Sequence, residues 1–133
     1  MVVYNIRRAK YAIELSTACA SDRWNNNYEY VIYTGSHISL SVLEMVAHRQ
    51  SILGQEVYKL LFIEVDVTPK DITTIDKKIL PPDWRSIHSY PALQQIGSEW
   101  YRNQNSLLLQ VPSVLVTYET NYLINTRHPD FQE

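Results

Sequence analysis

Arg23, Tyr33, Glu44 and Ser113 are the side chains on which a reaction could rest. Arg23 lies in Arg23-Trp24-Asn25, a polar stretch where a guanidinium can grip a phosphate or carboxylate through two parallel hydrogen bonds. Tyr33 stands ten residues later and Glu44 eleven beyond that, so a strand-to-helix corner would turn both toward one cleft. Ser113, fixed between Pro112 and Val114, could hold a ligand where a strand is interrupted. Each has a plainer structural reading beside this one. An arginine in a polar loop is usually solvated, and a serine after proline is usually a turn residue. Glu44 follows Ser41 at capping-box spacing, but Ser41 falls inside the expected helix.

Other chemistries find no support. His37, His48, His88 and His128 show no paired spacing on one helix face, so no metal site is expected. Cys19 is the single cysteine, which rules out an intramolecular disulfide and a thiolate cluster and makes the cytosol the natural compartment. A glycine-rich phosphate loop, a G-x-S-x-G elbow and a C-x-x-C pair are all absent from the sequence.

The elements that must position these residues read as a mixed α+β series. Val2–Ile6 is a short strand, Ala9–Leu15 has the spacing of one or two helical turns, and 16–27 loses its pattern. Glu29–Thr34 is a strand ended by Gly35. A helix follows from Ser36, its N-cap, to about Gln50, with Leu40, Leu43, Val46 and Ala47 as a buried stripe. Tyr58–Val67, apolar on both faces, is expected at the centre of a sheet. Pro81-Pro82 is a stop, and Ala92–Asn103 a helix with Leu93, Ile96 and Trp100 on one face. Gly97 weakens that helix by about 1 kcal/mol relative to alanine. Ser106–Leu109 and Val114–Thr117 read as strands separated by Pro112-Ser113, a joint suited to an edge, strand end or bulge.

With 133 residues, 45% of them hydrophobic, the chain has room for one domain, 1–133, and one core. A net charge of -2 lacks the basic footprint of a duplex-binding protein, so no direct nucleic-acid role is expected. No aliphatic or aromatic run is longer than Leu60–Ile63, which is too short for a signal peptide or membrane span.

Several segments in a fixed order carry more weight than any one of them. Asp22-Arg23-Trp24-Asn25, Val31-Ile32-Tyr33-Thr34, Ser39-Leu40 with Leu43-Glu44, Leu80-Pro81-Pro82-Asp83-Trp84, Val111-Pro112-Ser113, and Glu119–Asn125 followed by His128-Pro129-Asp130-Phe131 resemble the RES domain family. The family is named for an arginine, a glutamate and a serine, which carry over as Arg23, Glu44 and Ser113, with Tyr33 as the accompanying aromatic.

The resemblance implies a fold like that of ADP-ribosyltransferases, with two small, mostly antiparallel sheets around an NAD cleft. It implies a bacterial toxin that cleaves NAD at the nicotinamide glycosidic bond, with water or phosphate as acceptor, held inactive by an Xre-type helix-turn-helix antitoxin. NAD is then substrate, no cofactor is bound permanently, and a homodimer within the toxin–antitoxin complex is compatible. Arg23, Trp24 and Asn25 would bind the substrate, with Arg23 on the pyrophosphate, Glu44 stabilising the ribose cation, and Tyr33 and Ser113 positioning the ribose and nicotinamide. Two rival readings are a protein mono-ADP-ribosyltransferase and a catalytically weak antitoxin-binding protein. The second is motivated by departures from the family pattern: Asn5 stands where relatives commonly carry an arginine, and Ser21-Asp22 where they usually carry a glycine pair.

Overall fold

The computed structural model describes residues 1–17, 19–49 and 57–132. Six strands and two helices form its frame: β1 (Val2–Arg8), β2 (Val31–Gly35), α1 (Ile38–Arg49), β3 (Tyr58–Glu64), β4 (Ile72–Thr74), α2 (Tyr90–Asn103), β5 (Leu108–Pro112) and β6 (Thr120–Asn125). The strands join in one sheet of order β3-β1-β2-β6-β5-β4. All neighbours are antiparallel except β4 and β5.

Two expectations about the sheet are corrected. Tyr58–Val67 is not central: β3 is an edge strand, and of its apolar run only Ile63 is buried, with Phe62 64% and Leu60 38% exposed. Phe62 instead rests edge-on against Tyr4 of β1, with ring centroids 5.3 Å apart. A continuous apolar run gives no sign of which face lacks a cover. The two separate sheets are also replaced by a single one, although β1 meets β2 at just one pair, Tyr4 with Gly35. On either side of that seam the ladders are full, β1 with β3 over seven pairs and β2 with β6 over five.

The central strands are buried on both faces, which explains their lack of alternation. Val31, Leu109, Val111 and Leu123 face α2 with Trp84, Leu93 and Trp100, whereas Val3, Ile32, Leu108 and Ile124 pack on the opposite side. In α2 the expected stripe is largely met, with Leu93 and Trp100 buried and Ile96 packed against them.

α1 departs from its expected pattern. Leu40 is fully buried, but Leu43 (50%) and Val46 (37%) are exposed, as is Ala47, and Ser41 takes the inward position. The helix starts at Ile38, so Ser36 lies too far out to be the residue that caps it. Gln50, the expected end, falls outside the described residues. The turns expected over Ala9–Leu15 shrink to a single 3-10 turn, Ala9–Tyr11.

Near the C-terminus, Val114–Thr117 is a turn and not a strand, and the final strand is β6. Pro112 ends β5, as the proline argument requires, because it can accept but not donate in a ladder. The short β4 gave no signal in the sequence: three residues held parallel to β5 are fixed by their neighbour and not by a period of their own.

Candidate active site

Where β1 and β2 part, a cleft of about 440 Å³ opens against α1. Its walls come from Tyr4 and Asn5 of β1, Tyr33 to Gly35 of β2, Ser41, Glu44 and Met45 of α1, and Asp22 to Trp24 of the preceding loop. Asn121 of β6 and Tyr90 at the start of α2 complete it. Gly35 leaves room at the corner: a Cβ there would displace the Ser41 hydroxyl, which bonds the Tyr4 carbonyl at 3.1 Å and draws α1 onto the sheet.

That corner turns Glu44 inward. The Asn121 amide donates to Glu44 Oε1 at 2.6 Å and also to the Thr34 carbonyl at 3.1 Å, which ties the carboxylate to the two strands beneath it. A hydrogen bond this short orients the carboxylate within the cleft. Asn121 is the functional residue that reasoning from single side chains missed. Its only trace in the sequence is its place in the Glu119–Asn125 segment.

Arg23 faces the cleft with its guanidinium anchored from behind. Its Nη1 donates to the Arg85 carbonyl at 3.2 Å and more weakly to that of Trp84 at 3.4 Å. Its Cζ lies over the Tyr90 ring, 4.7 Å from the centroid, a cation–π contact. This explains the Leu80–Trp84 motif: buried Trp84 fixes the chain whose carbonyls receive Arg23.

Tyr33 is locked by its own hydroxyl, which donates to Asn25 Oδ1 at 2.6 Å and accepts from the Trp24 amide at 3.0 Å. Burial pushes the phenol well above its usual pKa, and the nearby Asp22 carboxylate raises it further. The folded state therefore favours the neutral phenol. That contribution to stability is complete below the unfolded value near 10 and is lost as pH rises from there toward the folded value. Unfolding monitored between pH 9 and 11, on the order of one unit either side of that value, should show Tyr33→Phe losing less stability than the wild type. Equal slopes would mean that the phenol is not held as described.

Of the residues expected from the sequence, Arg23, Trp24, Tyr33 and Glu44 meet in this cleft. Asn25 and Ser113 stand behind its wall. Asn25, 2% exposed, supports Tyr33 and bonds the carbonyls of Ala20 and Asn26. Ser113, 1% exposed, accepts from the amides of Leu115 and Val116, both at 3.1 Å, and so shapes the turn whose Val114 and Leu115 reach the cleft.

The departures also have defined places. Asn5 donates to the Tyr33 carbonyl at 2.8 Å, a side-chain substitute for a ladder bond beside the seam. Arg7 Nε donates to Asn5 Oδ1 at 2.7 Å, so a guanidinium is held two residues along the strand. Asp22 Oδ1 accepts from the Arg23 amide at 2.8 Å, while the Arg23 side chain turns to Trp84 and Arg85. Among the described residues, no group of three or more His, Cys, Asp or Glu side chains is placed to hold a metal ion, and no helix is long and apolar enough to cross a membrane.

The chain matches the family model of the RES domain over residues 2–133. It is similar to "Toxin Res" of Yersinia enterocolitica, 33% identical over 99% of this chain and 88% of the relative. A second "Toxin Res", from Photorhabdus laumondii, is 29% identical over the whole chain and 86% of the relative. The "Prs ADP-ribosylating toxin" of a Sphingobium species is 33% identical over 81% of this chain and 68% of the relative. A match of that extent means that this chain belongs to the RES domain family.

Proposed function

We propose that this chain is the toxin of a bacterial toxin–antitoxin pair and acts by cleaving NAD at the nicotinamide glycosidic bond. The observation that carries the reading is a carboxylate fixed by Asn121 in a cleft that also presents Arg23 and Tyr33. The bond between the ribose carbon and the pyridinium nitrogen breaks, its electron pair goes to the ring, and nicotinamide leaves neutral. The ribose is left oxocarbenium-like. Glu44 stabilises that developing charge, a larger effect in a partly desolvated cleft than in water. Arg23 holds the pyrophosphate, and Tyr33 bounds the space for the ribose and nicotinamide. Ser113 acts through the turn it shapes. Water attacking the same carbon yields ADP-ribose and a proton, and phosphate yields ADP-ribose 1″-phosphate.

The fold is read as a relative of the ADP-ribosyltransferases, with the seam between β1 and β2 in place of a gap between two sheets. The partner is read as an Xre-type helix-turn-helix antitoxin, the setting as the cytoplasm where NAD is found, and a toxin homodimer is compatible with such a complex.

The test is NAD consumption by the purified chain with and without phosphate, products identified by mass. Free nicotinamide is expected, and the ribosyl product names the acceptor. Arg23→Ala should raise KM by about ten- to a hundredfold, the loss of a hydrogen bond to a charged group, with a smaller effect on kcat. An intact NAD pool in the wild type would overturn the reading. The name of the Sphingobium relative favours a second one, transfer of ADP-ribose to a protein, in which the same bond breaks and a protein side chain attacks. Label from adenine-tagged NAD appearing on protein would select it. Tight antitoxin binding without turnover or transfer would instead leave an antitoxin-binding protein.

A further inference from the structure

The segment 22–29 carries Arg23 and Trp24 to the cleft without belonging to the sheet: its backbone closes on itself at the Asp22–Asn25 bridge and through the Glu29 amide on the Asn26 carbonyl, and it is tied outward by the Tyr28 amide on the Cys19 carbonyl and the Trp24 amide on the Tyr33 hydroxyl. On its other side the loop lies against one stripe of α2. Tyr90, Gln94, Gly97 and Ser98 follow at steps of four, three and one, the spacing of a single helix face.

Each makes a different contact. The Tyr90 ring lies under the Arg23 guanidinium, and Gln94 Nε2 donates to the Asp22 carbonyl at 2.8 Å. Ser98 Oγ donates to Glu29 Oε1 at 2.8 Å and accepts from Asn26 Nδ2 at 2.7 Å. Glu29, 5% exposed, also accepts from the Asn26 amide at 2.7 Å, with Arg102 Nε 3.6 Å from its other oxygen. Gly97 makes its contact by having no side chain. A Cβ there would overlap the Trp24 carbonyl oxygen and stand 2.8 Å from its carbon. Both partners are backbone, so neither can turn aside.

We propose that Gly97 is a positioning residue for NAD cleavage: by letting the Trp24 carbonyl rest on the backbone of α2, it sets how far Arg23 enters the cleft, and the Ser98–Glu29 pair locks that setting. The proposal rests on the NAD-cleaving reading and adds to it a residue outside the cleft. Glycine in a helix interior is otherwise unfavourable, and here the close approach of the loop requires it.

The experiment uses the full chain with Gly97→Ala and Ser98→Ala, each alone and combined with Arg23→Ala. Affinity for ADP-ribose, which keeps the pyrophosphate and lacks nicotinamide, is read by calorimetry, and exchange of the Trp24 and Asn26 amides by NMR. Gly97→Ala should weaken ADP-ribose binding about tenfold or more, the scale of a lost charged hydrogen bond. In the Arg23→Ala background it should add less than about twofold, because residues acting as one unit are not additive. For NAD, KM should rise by more than kcat falls, and both amides should exchange faster.

An equal loss in both backgrounds would indicate general destabilisation and overturn the proposal, as would wild-type affinity. If Gly97→Ala does not fold, Ser98→Ala carries the same expectations. If the wild type neither cleaves NAD nor binds ADP-ribose, the NAD-cleaving reading fails and the assignment to catalysis goes with it. The amide exchange then decides the clamp alone, and unchanged protection at Trp24 and Asn26 would overturn that too.

Discussion

Glu44→Gln should lower kcat for NAD by about a hundred- to a thousandfold, the usual loss when one preorganised electrostatic group is removed from an active site. The amide keeps the shape of the carboxylate, and after a flip it can still meet Asn121, so the cleft should survive. Only the negative charge that the proposed mechanism directs at the ribose is lost. ADP-ribose affinity should therefore stay within about threefold of wild type, since the charge matters to the transition state more than to the bound ground state. Single-turnover kinetics alongside calorimetry separates the two. A variant with full turnover would remove Glu44 from the chemistry, and one that bound nothing would make it a structural anchor for α1.

The largest effect on stability is expected from Leu123→Ala. Leu123 is fully buried in β6, opposite Tyr33 of β2 and Leu109 of β5, in the cluster that includes Trp100. Neighbours on both sides are held by backbone ladders and cannot collapse into the gap. The loss should lie in the upper part of the range of about 2–5 kcal/mol for buried leucine truncation. Against a typical domain stability of about 5–15 kcal/mol, this is enough to unfold a marginal protein. In urea the midpoint should fall with the slope unchanged. A loss below about 1 kcal/mol would mean that the centre of the sheet is not packed as described.

How much of this was legible in the sequence depends on what each residue answers to. β2 and α2 were readable because a β-branched and aromatic cluster ending in Gly35, and Leu93, Ile96 and Trp100 at helical steps, express local preference and burial together. β3 was misplaced because Leu60 to Ile63 reads the same at an edge as at the centre, and only pairing partners settle it. The α1 stripe failed for a related reason: Leu43 and Val46 fit the helical period, but nothing described packs over them, and Ser41 meets the sheet instead. Within the site, Arg23, Tyr33 and Glu44 were legible through family resemblance, not through spacing. Their partners Asn121, Tyr90 and the carbonyls of Trp84 and Arg85 come from 61 or more residues away in the chain. No local pattern records such meetings. Gly97 was visible as a helix-weakening residue, while its reason, the Trp24 carbonyl, was not.

The pairing of β2 with β6, from Val31 with Asn125 to Gly35 with Asn121, has a consequence during synthesis. A chain leaving the ribosome N-terminus first exposes Tyr33 and Glu44 while the strand that must lie beside them, and the Asn121 that holds the carboxylate, are still unmade. Ladders between segments about ninety residues apart close late, because the loop entropy must be met before any contact repays it. No nascent fragment short of Asn121 can therefore contain the assembled cleft. A cell translating this protein meets it as a half-built sheet until Asn121 has been added, and that interval is available for a partner to be in place before the cleft exists.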